Sequence, residues 1–331
     1  MDRARRGQTR GSVAVATAAA SAVAMVAVGV IGLAFLAGRT RDAIMLHGFT
    51  GLDRSSIDPA IRDLALSVNP VPFACVGLAL VGVCLAQRRP WRAATVAALL
   101  IGSGGTAQIL KHLLAVPREP SFGDGFRPED IGWPSGHAAA VTALAIAAVI
   151  VAPPAWRGLV ALGAGGYAVA LGFATLALTW HYPSEVLGGI LLAGIWGAAG
   201  LAVLARVEGP GPDAPALTPP DWVIGWGTVG AVGAAAIAYA AAGSDPIPVG
   251  DRSAMALCAF AIAMTTLGLL LTTIAAAPPD DAPEGHGDSR RPQPRPDLAG
   301  RDNGHHGDLA RSPGDPARRR PAASGRARHR R

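Results

Sequence analysis

Lys111 is the only lysine in a chain of 331 residues; every other long basic side chain is arginine. It stands at the end of an apolar run, and six residues separate it from Arg118. A charge beside a bilayer costs a few kcal/mol, so a lone lysine there reads as a placed cation. The polar, turn-rich stretch that follows ends in Pro134-Ser135-Gly136-His137, at the mouth of another apolar run. A Ser-Gly pair at a helix start offers free backbone N–H groups and the positive end of the helix dipole, which suits an anion. Two cations, a helix N-terminus and a histidine together point to a phosphate site. A further histidine, His181, lies in the segment Trp180-His181-Tyr182-Pro183-Ser184-Glu185 between two later apolar runs.

The elements that must position these groups are membrane spans. Half of the residues are hydrophobic (50%) and only 16% are charged, with 42 glycines. Long runs almost free of charge place such a chain in the membrane class. The net charge of +6 does not indicate nucleic-acid binding, because twelve of the arginines lie after residue 289, in a tail that belongs to no core. That tail suits a cytosolic segment touching anionic lipid. Cys75 and Cys84 share one apolar run, where nine residues of helix put them roughly 13 Å apart, too far for a disulfide. No Cys/His spacing suggests zinc.

Apolar runs predict spans at 12–37, 70–86, 93–110, 135–153, 158–179, 186–205, 222–242 and 254–276. Residues 38–69 read as a polar outer segment, within which Asp58-Pro59 opens a short amphipathic helix lying on the membrane surface. Arginines before the first run and at Arg88 and Arg89 fix the inner side, so both termini are expected in the cytoplasm. The alternation then brings Lys111, Arg118, His137 and His181 to the outer face. The expected organisation is all-α: a six-helix membrane core over 1–206, a Pro/Gly linker over 207–221, two additional spans within 222–276, and a disordered basic tail over 277–331.

These residues, in this order and at these helix ends, resemble the PAP2 (type 2 phosphatidic acid phosphatase) superfamily, whose motifs are K-x6-R-P, P-S-G-H and S-R-x5-H-x3-D. The resemblance covers about residues 70–205. Lys111 and Arg118 match the first motif, although Glu119 separates the arginine from Pro120. Pro134, Ser135, Gly136 and His137 match the second in full. His181 matches the third, where Ala174 and Thr175 replace the serine and arginine and Glu185 replaces the aspartate.

The resemblance implies catalysis by His181, His137 and Glu185. His181 would attack phosphorus to give a phosphohistidine, oriented by Glu185; His137 would protonate the leaving oxygen and then activate water. Lys111, Arg118, Ser135 and the N–H groups near Gly136 would bind the phosphate, with no metal and no cofactor. The implied substrate is a lipid phosphate or diphosphate of the phosphatidate or polyprenyl type, met at the outer face of the cell membrane; the implied partners are membrane lipids and not nucleic acid. The alternative, motivated by the lost arginine, is a weakened or inactive membrane binding or scaffold protein. Arg127, close before the P-S-G-H turn, is a candidate replacement for that arginine. An arginine restored at position 175 is expected to raise turnover if the missing cation is the weak point of the site, and to do little if Arg127 already fills that role. His47 and His112 read as ordinary interfacial residues, and no sequence feature speaks to oligomeric state.

Overall fold

The computed structural model describes residues 2–34, 36–50, 58–114, 132–208 and 249–278. Among the described residues every regular element is helical: α1 (Asp2–Gly29) with a π-helical turn at Val30–Ala34, α2 (Leu36–Thr50), α3 (Asp58–Leu66), α4 (Pro70–Ala86), α5 (Pro90–Leu113), α6 (Gly136–Val151), a 3₁₀ turn at Pro154–Trp156, α7 (Arg157–Ala177), α8 (Pro183–Val207) and α9 (Val249–Ala276). α4, α5 and α8 each begin with proline in the first turn, where the missing N–H had no intrahelical acceptor and the fixed φ is already helical.

Among the described residues, five helices are long and apolar enough to cross a membrane: Arg10–Ala34, Pro90–Leu113, Pro154–Ala177, Pro183–Val207 and Met255–Ala276. α3 and α4 form a pair bent by 52° that makes a sixth if taken together. The protein is a multi-pass, all-α membrane protein. α6 is only 16 residues long and apolar on every side, and it is enclosed by α4, α5, α7, α8 and α9. A helix without a polar face is stable only when surrounded in this way. Of the eight expected spans, the one at 222–242 falls outside the described residues, as do nearly all of the linker and of the tail.

α8 is the axis of the bundle, packed against α1, α5, α6 and α9. The ends of the helices alternate as the span order requires. At one end, α5 finishes beside the start of α6, and α7 finishes beside the start of α8. At the opposite end, buried Arg92 of α5 pairs with Glu208 beyond α8 through two contacts of 3.3 Å. Arg157, also buried, donates to the Ala152 carbonyl at 3.2 Å and to the Pro278 carbonyl at 2.7 Å. A guanidinium placed among helix C-termini satisfies orphan carbonyls and meets the negative ends of their dipoles.

Two parts of the polar segment expected at 38–69 are helices packed on the bundle. Residues 38–50 belong to α2, which packs on α9 and touches α7 and α8; its arginines, aspartate and histidine hid a helix that the rest of the bundle holds in place. The short helix expected to open at Asp58 is present as α3. It packs against α7, and the Ser67 hydroxyl just beyond it hydrogen-bonds the Tyr167 hydroxyl partway along α7.

Candidate active site

Ser135 builds the first half of the site. Its Oγ accepts from the Ala138 N–H at 3.3 Å, the N-cap bond that starts α6. The side chain is fully buried (0% exposed), so its first duty is the helix cap. The Gly136 and His137 N–H groups that follow precede any i−4 acceptor within the helix. A Cβ at Gly136 would lie 3.6 Å from Lys111 Nζ and 3.7 Å from Gln108 Nε2, so both side chains converge on this turn from the last turns of α5. An ammonium, a side-chain amide and the open end of a helix thus share one small region.

The second half comes from the α7–α8 junction. α7 closes in a Schellman arrangement: Trp180 N–H donates to the Thr175 carbonyl at 2.9 Å and Thr179 N–H to the Leu176 carbonyl at 2.8 Å. Thr179 occupies the left-handed position at φ 58°, a conformation that disfavours a β-branched residue. The turn projects Trp180 and His181 over the start of α6. α8 then begins with Tyr182 as N-cap and Glu185 in its third position.

Glu185 Oε2 lies 2.8 Å from His181 Nδ1 and accepts the Tyr182 N–H at 3.3 Å. A carboxylate can only accept, so Nδ1 carries a proton, and in the neutral ring the lone pair is then on Nε2. Both side chains are buried, His181 at 7% and Glu185 at 4% exposed. The His137 ring faces His181 at 5.7 Å between centroids and Trp180 at the same distance on another side.

Close backbone packing holds the halves together. Ser135 N–H donates to the Glu185 carbonyl at 2.9 Å. A Cβ at Gly189 would sit 2.4 Å from the Ser135 carbonyl oxygen, so no other residue allows this approach of α8 to α6.

The structure therefore brings together Lys111, Ser135, Gly136, His137, His181 and Glu185. Arg118 and Arg127 lie outside the described residues. Thr175 is fully buried, and its hydroxyl donates to the Gly172 carbonyl of its own helix at 2.8 Å. His112 is exposed with Nδ1 2.7 Å from the Gln108 carbonyl, and His47 is exposed on α2. Gln108 and Trp180 were not expected in the site. Gln108 could have been found from its spacing, since it precedes Lys111 by one helical turn and shares its face.

Residues 91–207 match the family model of the PAP2 superfamily. This segment resembles a PAP2 domain. It begins at the second residue of α5 and ends with the last residue of α8, and it contains every residue of the assembled site. The match supports a phosphatase-type enzyme in general. α1 to α4 and α9 lie outside the matched segment, yet α1 and α9 pack directly on its central helix. Neither a curated protein nor a solved structure matches the chain.

Proposed function

We propose that the protein hydrolyses a lipid phosphate or diphosphate through a phosphohistidine formed on His181. The observation that carries this reading is the pair of facing histidines, of which His181 has its Nδ1 held by a carboxylate. His181 Nε2 would attack phosphorus while the bond to the leaving oxygen breaks, and His137 in its protonated form would give that oxygen a proton. Glu185 stabilises the positive charge that develops on the His181 ring. His137, now neutral, would take a proton from water as the water attacks the phosphohistidine. That step releases inorganic phosphate and restores both rings.

Lys111 Nζ, the Gln108 amide and the first N–H groups of α6 would meet the charge spreading over the phosphoryl oxygens, and Arg118 would add to them. Ser135 contributes chiefly by capping α6. The apolar bundle with a polar site at the helix ends suits a substrate whose phosphate stands at the membrane surface and whose chains stay in lipid. Phosphatidate and polyprenyl diphosphates have this form. The arginines of residues 3–10, 88–89 and the tail favour a site on the outer face with both termini in the cytoplasm.

A second reading, a binding or scaffold protein without turnover, is favoured by Thr175. The family arginine is replaced there by a buried side chain whose hydroxyl is committed to its own helix. Purified full-length protein assayed for inorganic phosphate release against a panel of lipid phosphates and diphosphates separates the two. Turnover that His181→Ala abolishes supports the enzyme; lipid binding without phosphate release supports the scaffold.

A further inference from the structure

The first turn of α8 carries Glu185, whose carboxylate accepts the Tyr182 N–H in a capping box. A second carboxylate reaches the same turn from another helix. Asp42 of α2 accepts the Ser184 N–H on Oδ1 at 3.0 Å and the Ser184 hydroxyl on Oδ2 at 2.5 Å. One carboxylate thus grips both donors of the residue preceding Glu185. It also places a negative charge at the positive end of the α8 dipole. On its other side Ser184 abuts the π-helical turn after α1, where a Cβ at Gly32 would lie 2.9 Å from Ser184 Oγ. The same helix α1 backs the other half of the site: a Cβ at Gly29 would lie 2.8 Å from the ring of Trp133, which precedes the P-S-G-H turn.

We propose that Asp42 is a positioning residue of the active site: by holding Ser184 it fixes the first turn of α8, so that the Glu185 carboxylate stays on His181 Nδ1. The amino-terminal helices, which lie outside the matched PAP2 segment, are then a working part of the catalytic unit. Release of Ser184 lets the first turn of α8 fray, and Glu185 moves with it. A displacement of about 1 Å in a catalytic group can cost about a hundredfold in rate. The proposal rests on the reading of His181 as nucleophile for its kinetic consequences, but its geometric content stands apart from turnover.

The test uses the full-length protein in lipid nanodiscs and two readouts. With ¹⁵N-labelled histidine, the wild type is expected to show His181 protonated on Nδ1, and Asp42→Ala to lose that preference. Asp42→Asn keeps an acceptor for the N–H and a polar contact to the hydroxyl, so it is expected to retain it. In steady-state kinetics with a lipid phosphate, Asp42→Ala should lower kcat tenfold to a hundredfold with KM within about twofold. In a Glu185→Gln background the same change should cost less than about twofold, because the carboxylate it positions is gone. An unaltered His181 tautomer in Asp42→Ala overturns the proposal, as does a loss that multiplies undiminished with Glu185→Gln. Should Asp42→Ala fail to fold, Ser184→Ala removes one of the two bonds and is read by the same tautomer signal. A wild type without turnover defeats the enzyme reading while the tautomer comparison still decides the role of Asp42.

Discussion

The Ser135 N–H donates to the Glu185 carbonyl at 2.9 Å, so the residue that caps α6 and the residue that holds His181 are joined through their backbones. The two histidines are therefore not brought together by flexible side chains. Their spacing is set by two helix starts locked at the Gly189 contact. Any change that separates α6 from α8 should displace both histidines at once. Gly189→Ala, which would press a methyl onto the Ser135 carbonyl, is expected to cost about 1–3 kcal/mol in stability and to abolish turnover before it abolishes membrane insertion. Thermal unfolding and activity on the same preparation check this.

The roles of the two histidines predict different dependence on the leaving group. His137→Ala should slow poor leaving groups by about 10²–10⁴-fold and good ones, such as an aryl phosphate, far less. His181→Ala should abolish turnover of both. An equal loss across leaving groups in His137→Ala would remove the general-acid role.

Thr175 reverses an expectation. Counting along the motif suggests that an arginine there would restore lost phosphate binding. The side chain is instead fully buried and bonded to the Gly172 carbonyl, one turn inside the end of α7. Thr175→Arg must bury a large charged group where a small side chain is packed, an overpacking cost of about 1–3 kcal/mol before the charge is counted. The expected outcome is a lower Tm and no gain in kcat. A gain in kcat at unchanged KM would show that the guanidinium reaches the phosphate.

The pair between Arg92 and Glu208 predicts a stability effect far from the site. Glu208→Ala leaves a buried guanidinium without its carboxylate, at a cost of about 3 kcal/mol. Replacing both residues by methionine should recover most of that loss. Thermal unfolding of the two variants in detergent decides between them, and phosphatase turnover per folded molecule should be unaffected in either.

Topology is tested by cysteine labelling in intact cells after Cys75, Cys84 and Cys258 are replaced. Asp124→Cys and Ile247→Cys are expected to react with a membrane-impermeant maleimide, and Gly300→Cys is not. Inside labelling at 124 would move the proposed site to the cytoplasmic face.

The sequence exposed those features that depend on local pattern. Charge-free runs marked the helices that carry the site, and polar breaks between them marked where Lys111, His137 and His181 gather. Position along the chain also paired His181 with Glu185, one turn apart. What stayed hidden depends on tertiary contact. α2 is too polar to read as part of the bundle, and its Asp42 acts on a residue 142 positions away. The helix start at Ser135 was visible, but the complete burial of its side chain was not. Thr175 carried its substitution in the sequence and its enclosure only in the fold.

The central claim is the covalent intermediate on His181, and rapid quenching tests it most directly. Wild-type protein mixed with a ³²P-labelled lipid phosphate and stopped within milliseconds should carry label that is lost in acid and stable in base, on the peptide containing His181. His181→Ala should carry none. His137→Ala, given a substrate with a good leaving group, should accumulate more label than the wild type, because its water is no longer activated. Rapid phosphate release by the wild type with no such label, or label of the same stability retained in His181→Ala, would contradict the account.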